Sequence, residues 1–285
     1  MTIIIGAVIV IVSVLGGFMF AGGSPAGLVQ PSEFIVIIGS AVGAMIIMAP
    51  KKVLMDTVSQ ILSAIKGGSV SRASYDDLFK ALYEVFMLAR RNGMIALEDH
   101  VNNPTASAIF SKYPTFLKNH HAVELLCSSI RPLVDGRVKP DQLSSLLDAE
   151  LNSYEEEHHQ PVELLTKVGD SMPGFGIVAA VLGIVNTMGA INGPIDEIGH
   201  HVAAALVGTF LGILIAYGFI SPLAGKLTLL GQSEMCYLRA ISSSLVGFAN
   251  GAPPMMAVEI ARRSLASDMK PGSEEFEQML KATAK

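Results

Sequence analysis

Four residues in or beside long apolar runs are of types that could serve ion transfer: Asp170, Pro173, Thr209 and Pro222. The carboxyl group of Asp170 can exchange a proton, and the hydroxyl of Thr209 can donate or accept a hydrogen bond. Pro173 and Pro222 each remove a backbone donor and can kink a helix, which makes them candidate hinges. Plainer roles remain open for all four: a helix cap at the water boundary, a hydroxyl bonded to its own helix, and prolines tolerated at helix ends.

No motif of enzyme chemistry accompanies these residues. The sequence has no Gly-rich phosphate loop, no nucleophile elbow, no metal-ligand cluster and no carboxylate pair at acid/base spacing. Cys127 and Cys236 lack metal-ligand spacing and are predicted to be packed thiols. The net charge of −5 provides no basic field for nucleic acid. We therefore expect no enzyme, no metal or organic cofactor and no nucleic-acid partner.

The elements that must position these residues are apolar runs in a chain of 285 residues. Hydrophobic residues make up 51% of the sequence and charged residues only 16%, against roughly 25% charged in soluble domains. None of the 20 Lys and Arg residues lies in 1–50 or 168–225. These regions contain four apolar runs that approach the roughly 20 residues of a membrane helix: 3–21, 34–49, 168–191 and 202–223. Val53 and Leu54 would extend the second run, which is the shortest.

Basic residues mark one side of the membrane. Lys51 and Lys52 follow the second run, Lys226 follows the fourth, and the connectors 22–33 and 192–201 have none. Because Lys and Arg concentrate on the cytoplasmic side, both termini and the segment between the second and third runs are predicted to be cytoplasmic. The alternative of a cleaved signal peptide at 1–20 is disfavoured, since the positively charged start is missing.

The remaining sequence has helical periodicity without an alternating strand pattern. Ser74 and Asp77 predict a capping box at the start of one helix. The predicted fold is an all-α membrane protein with four transmembrane helices plus a large cytoplasmic helical domain. Its predicted regions are the first two transmembrane helices with a short periplasmic loop at 1–50, the cytoplasmic helical domain at 51–167, the third and fourth transmembrane helices at 168–225 and a cytoplasmic C-terminal helical region at 226–285.

Small residues recur at helical spacing in the third and fourth runs. Such residues let membrane helices approach closely, either within the chain or against helices of other subunits or another protein. No Asp, Glu, Lys or Arg lies at the centre of any run, so a partner would have to supply the titrating group of a proton path. The small residues are Gly176, Ala180 and Gly183 in the third run and Ala204, Gly208, Gly212 and Ala216 in the fourth.

Several segments resemble flagellar motor stator proteins of the MotA type. VGDSMPGFGIVAAVLG at 168–183 and VGTFLGILIAYGFISPLA at 207–224 are similar to the third and fourth spans of that family. The similarity extends to GGSPAGLVQPSEF, ARRNGMIALEDHVNNP, FSKYP and GAPPMMAVEIARR, in matching order over nearly the whole chain.

The resemblance implies a stator subunit of the bacterial inner membrane, surrounded by lipid, whose third and fourth spans line the ion path. It implies five copies around a dimer of a single-span, peptidoglycan-anchored partner of the MotB type, which carries one protonatable Asp. Protonation of that Asp would bias the conformation of the surrounding helices and drive the rotor switch protein FliG.

The resemblance also assigns roles to individual residues. Arg90, Glu98 and Glu150 match charged positions relevant to contact with the rotor, and the neighbouring Arg91 leaves open which arginine makes that contact. Without the resemblance, exposed charges of this kind are simply solvated surface groups.

Five further positions match the family's ion path and torque coupling: Asp170, Pro173, Ala180, Thr209 and Pro222. Sodium-driven members carry Thr where this sequence has Ala180. A hydroxyl there could replace one of the water oxygens that hydrate sodium, whereas proton transfer does not need a shell of oxygen ligands. The expected coupling ion is therefore the proton, with sodium less favoured.

Two alternatives differ in what the spans do. An energiser of the ExbB/TolQ type has no rotor, but such proteins typically have three spans and lack the pattern of Arg90 and Glu98. A passive membrane scaffold would use the small residues for packing alone. Whether a stator of this kind would serve a polar or a lateral flagellum is left open.

Overall fold

The chain folds into helices and the turns between them, which confirms the predicted all-α class. The structure is a computed structural model and describes residues 1–67, 70–189 and 191–283. Within these ranges there is no β-strand. The same ranges contain four helical stretches that are long and apolar enough to cross a membrane, as predicted: Thr2–Phe20, Pro25–Met48, Pro140–Gly189 and Ile195–Ala249.

The α-helices of the described residues are, in chain order, α1 (Thr2–Phe20), α2 (Pro31–Met48), α3 (Lys51–Lys66), α4 (Arg72–Asn92), α5 (Glu98–Asn102), α6 (Pro114–Leu117), α7 (His120–Val134), α8 (Pro140–Gly189), α9 (Ile195–Ile215), α10 (Ser221–Ala249), α11 (Pro254–Arg263) and α12 (Ser273–Thr283). Short 3₁₀ turns lie at Pro25–Leu28 and Met94–Leu97, among other places, and a π-turn at Ala216–Ile220 joins α9 to α10. The predicted boundary between residues 167 and 168 falls inside the continuous helix α8.

The chain divides into two compact units. The first consists of Met1–Gly68 with Glu157–Leu230, and the second of Ser69–Glu156 with Gly231–Lys285. The first unit contains α1, α2, α3 and α9, with parts of α8 and α10. The second contains the helices α4 to α7, α11 and α12, with the remaining parts of α8 and α10.

Helix α1 buries none of its residues within the chain. Its exposed side chains are almost all apolar, for example Ile5, Ile9 and Val12. In a membrane, a helix satisfies its backbone hydrogen bonds internally and can present apolar side chains to lipid or to other subunits. The composition of α1 therefore fits a membrane span and would be unsuitable for a surface helix in water.

Helix α2 begins at a proline and ends two residues before another. Pro31 occupies the first helical position, where its missing N–H is not needed. Ala49 is extended because it precedes Pro50, and α3 then begins separately at Lys51. The predicted extension of the second run to Val53 and Leu54 is therefore wrong, since both residues belong to α3.

The core of the second unit forms around α4. Leu78, Leu82 and Val85 lie on one face of this helix and are buried, as their 3–4 spacing predicts. The ring centroids of Phe86 and Phe248 are 4.3 Å apart, and those of Phe79 and Phe276 are 5.1 Å apart. Each fully buried large apolar side chain contributes roughly 1.5–3 kcal/mol to this core.

The predicted capping box of α4 is one turn too late. Ser71 is the N-cap residue, its side chain accepts from the backbone N–H of Ser74, and the Ser74 hydroxyl accepts from the backbone N–H of Ser71. Asp77 instead accepts a hydrogen bond from the backbone N–H of Thr115 at 3.2 Å. Serine replaces the usual Glu at the third helical position, which is why the sequence pattern of a capping box was displaced.

Candidate ion path and charged cytoplasmic positions

The predicted small-residue stripes of the third and fourth spans pack against each other. A Cβ atom added to Gly176 would lie 2.9 Å from the carbonyl oxygen of Gly208 and 3.2 Å from the Cα of Gly212. One added to Gly212 would lie 2.8 Å from the carbonyl oxygen of Met172. The backbones of α8 and α9 thus meet without intervening side chains, which is the use of small residues expected inside a membrane. At these glycines the structure supports packing within the chain.

Thr209 and Ala180 lie beside this backbone contact. The Cα of Thr209 would be 3.4 Å from a Cβ on Gly176, and the threonine is half-buried. Ala180 is also half-buried and follows Ala179, whose Cβ would be 3.1 Å from a Cβ on Gly208. The structure therefore places Thr209 beside the contact between α8 and α9, and on α8 the residue at that contact is Ala179, the neighbour of Ala180.

Asp170 and Pro173 lie on α8 on the N-terminal side of the glycine contact. Asp170 is exposed and Pro173 is half-buried. The missing N–H of Pro173 leaves the carbonyl of Gly169 without its usual partner four residues on. A Cβ added to Gly169 would lie 3.0 Å from the Cγ2 of Ile220, so the backbone of α8 also lies close to the π-turn here.

A π-turn precedes Pro222. The five residues Ala216–Ile220 form it, and α10 begins at Ser221. Pro222 cannot donate to the carbonyl four residues earlier, and a π-turn pairs residues five apart instead. The sequence predicts a possible kink at this proline, and the structure shows a widened helical turn directly before it. Single π-turns inside α-helices often lie at functional sites.

Glu33 is the residue that sequence reasoning missed. The apolar runs predict that it lies in the outer connector, but α2 begins at Pro31 and includes it. Only 5% of Glu33 is exposed, and within the described part of the chain its Oε2 atom has no hydrogen-bond partner. A signal was present, because Glu33, Ile37 and Ala41 recur every four residues and share the buried face of α2.

The predicted rotor-contact residues lie on the second unit. Arg90 and Arg91 are exposed in the last turn of α4, and Glu98 is exposed at the start of α5. Gly93, with φ of 85°, ends α4, and the 3₁₀ turn that follows leads to Glu98. The backbone thus presents these charges at the two ends of one short turn.

Glu150 differs from these exposed charges. It lies on α8, is half-buried and accepts a hydrogen bond from the hydroxyl of Ser128 at 3.4 Å. Part of its side chain is therefore used within the second unit. Its predicted rotor role stays a prediction.

Two family models match most of the chain. The model described as motility protein A N-terminal matches residues 4–93, and the MotA/TolQ/ExbB proton channel family matches residues 117–239. The second match includes the glycine contact, Thr209 and Pro222 described above.

Solved structures with similar folds include two flagellar complexes. A chain of the Campylobacter jejuni MotAB structure has a TM-score of 0.77 and 23% identity, covering 94% of this chain and 96% of that chain. A chain of the flagellar MotAB stator complex from Bacillus subtilis has a TM-score of 0.73 and 22% identity, covering 96% of this chain and 98% of that chain. At these identities the likeness establishes the fold.

Curated relatives match along their whole length. Motility protein A of Escherichia coli K12 is 36% identical over 282 residues, which is 99% of this chain and 96% of the relative. The chemotaxis protein LafT of Vibrio parahaemolyticus is 35% identical over 276 residues, 97% of each chain. With this identity over nearly complete chains, and with both family models in the matching order, the chain belongs to the motility protein A family.

Proposed function

We propose that this chain is a stator subunit of the flagellar motor, which forms a proton channel with a MotB-type partner and converts proton flow into torque. The observation that carries the proposal is the similarity to motility protein A over 99% of this chain. The family is one of motility proteins and proton channels, so an enzyme reaction is not expected here.

The partner and the assembly are part of the proposal. Much of the apolar surface of the spans is exposed in the single chain, including Ile177, Val181, Leu206 and Tyr217. Lipid alone could cover it, but the similar folds come from structures described as MotAB complexes. We propose five copies around two partner chains in the bacterial inner membrane, with both termini in the cytoplasm.

The proton is the proposed coupling ion, and the rotor switch protein FliG is the proposed target of the torque. The support for the proton is Ala180, which has only a methyl group at the position where sodium-driven members of the family carry Thr. Coordination of sodium needs several oxygen ligands, which a methyl group cannot supply. The exposed Arg90 and Glu98 support an electrostatic contact with FliG.

An energiser of the ExbB/TolQ type is the second candidate, because the match at residues 117–239 is to a family that includes those proteins. The match of residues 4–93 to the N-terminal model of motility protein A favours the stator. An energiser would act without a rotor.

The test is deletion of the gene followed by observation of tethered cells. We expect assembled filaments that do not rotate, and rotation restored by the wild-type gene. Normal rotation after deletion of this gene, in a strain without a second stator system, would contradict the proposal. Native mass spectrometry of the purified complex would test the assembly, with five copies to two partner chains as the expected mass.

A further inference from the structure

The first unit contains a buried carboxyl group that none of the roles above uses. Glu33 lies in the first turn of α2, and its Oε2 atom is inaccessible to solvent and without a hydrogen-bond partner in the described residues. The other oxygen, Oε1, accepts a long hydrogen bond from the hydroxyl of Ser32, at 3.5 Å. Buried carboxyl groups are normally paired, so this one needs a physical explanation.

The unpaired oxygen is aimed at the fourth span. A Cβ added to Gly208 would lie 2.5 Å from Oε2 and 3.3 Å from the Cδ of Glu33. Only a glycine leaves room for the carboxyl group at this level of α9. Thr209 is the next residue along α9, and Gly176 of α8 packs on the same turn. The carboxyl group therefore reaches the place where the third and fourth spans meet.

The membrane-spanning runs offer Glu33 no basic side chain. The sequence has no Lys or Arg in 1–50 or 168–225. The turn Pro25–Leu28, which precedes α2, has no titratable residue. Helix α3 has lysines and Asp56, but it follows the C-terminal end of α2, whereas Glu33 lies in the first turn.

Helix α8 also packs beside Glu33, since the Cβ of Ala179 would lie 3.1 Å from the same added Cβ on Gly208. The nearest titratable residue to Ala179 along α8 is Asp170, about 13 Å of helix rise away. Helix α9 is the other neighbour, and its titratable groups lie near its N-terminus: Asp196, Glu197, His200 and His201. His201 is the nearest of these to Gly208 along the helix and is still about 10 Å of helix rise away. An ionised carboxylate without a partner is costly in such a place, whereas a carboxyl group that carries a proton is not.

We propose that Glu33 is a proton-binding site of this chain, at the outer entrance of the ion path. The carboxylate takes one proton from outer water to become a carboxyl group and later releases the same proton inward, so no other reactant is needed. Ser32 is exposed and touches Oε1, which gives the group a neighbour at the water boundary. Ionisable groups at membrane depth commonly form such relays. The inference rests on the proposed function.

Proton flux through the reconstituted complex tests the inference. The chain and its MotB-type partner would be placed in liposomes with an internal pH-sensitive dye, and flux would be driven by a potassium gradient with valinomycin. Glu33→Gln keeps the size of the side chain but cannot exchange a proton. We expect it to lower flux about ten-fold or more, and we expect Glu33→Asp to retain a larger share. Glu197→Gln is the matched control, because Glu197 is an exposed acid on the same side.

Infrared spectroscopy adds a measurement that a structural role would not produce. Wild-type complex labelled with ¹³C-glutamate should show a glutamic acid carbonyl band that disappears at high pH and is missing from Glu33→Gln. Should Glu33→Gln fail to assemble, Gly208→Ala keeps the acid but forces it to move, and the band should shift. The inference is overturned if Glu33→Gln conducts like wild type at every pH. It is also overturned if the wild-type complex shows no such band, or if Gly208→Ala leaves the band at its wild-type position. A wild-type complex that passes no protons would instead count against the proposed channel.

Discussion

At the scale of single residues, the glycines between the third and fourth spans are constrained by the backbone of the facing helix. We expect Gly176→Ala to destabilise the protein by about 1–3 kcal/mol, because the new methyl group would press on the backbone of α9. Gly174→Ala is the matched control on the same helix, since a Cβ there meets no atom within 4 Å. Thermal unfolding of the two purified variants in the same detergent checks this. Equal loss in both would show that the close approach of α8 and α9 is not what requires glycine.

A second residue-scale prediction concerns Glu259 on α11. Hydrogen bonds from Arg262, and then from Arg263, lower the pKa of this carboxyl to about 2. Arg262 also donates a hydrogen bond to the carbonyl oxygen of Pro271 at 2.8 Å, which links α11 to the segment before α12. The stabilising effect is therefore complete above the ordinary pKa of 4.5 and is lost progressively as the pH falls from there through about 2.

Replacement of Glu259 by Gln should consequently speed proteolysis near the C-terminus at neutral pH, with a loss of about 1–3 kcal/mol. Glu277→Gln serves as the control, because its pair with Lys281 is exposed and such pairs contribute little. Similar cleavage rates for the two variants would mean that the Glu259 cluster does not hold this region.

At the scale of elements, the sequence was informative wherever composition alone decides the outcome. Four apolar runs and the absence of basic residues from 1–50 and 168–225 were enough to predict the spans. Element ends were less predictable because they depend on local backbone geometry. Pro31 starts α2 early enough to include Glu33, and serine at position 74 replaces the residue expected in a capping box. The π-turn depends on pairing between residues five apart, which no residue type marks clearly.

The π-turn before Pro222 makes a prediction of its own. Pro222→Ala restores a backbone donor, so the widened turn should revert to regular α-helix and shift the register of α10. We expect normal abundance in the membrane with a loss of most rotation in tethered cells. Pro132→Ala is a suitable control, because Pro132 also lies inside a helix but in the second unit. Unimpaired rotation of the Pro222 variant would show that the turn does not couple ion flow to movement.

At the scale of the whole molecule, the two units have different surfaces. The first exposes apolar side chains such as Ile9, Val181 and Leu206, which suit lipid and neighbouring subunits. The second buries most of its large apolar side chains in one core and exposes charges, Arg90, Arg91 and Glu98 among them. Site roles on the second unit could not be derived from residue types, because an exposed charge looks the same whether or not a partner meets it. The family resemblance supplied those assignments.

Charge reversal tests whether those exposed charges meet the rotor. Arg90→Glu should reduce torque without affecting membrane insertion, because an exposed charge near a partner changes association far more than it changes folding. Arg91→Glu is the matched control in the same helical turn, and comparison of the two shows which arginine is used. Torque is measured as the speed of tethered cells at fixed load, and reversal of an acidic residue on the rotor switch protein should partly restore the speed of the Arg90 variant. If both arginine variants rotate at wild-type speed, this turn of α4 does not transmit torque, and the contact must be sought at other exposed charges such as Glu98.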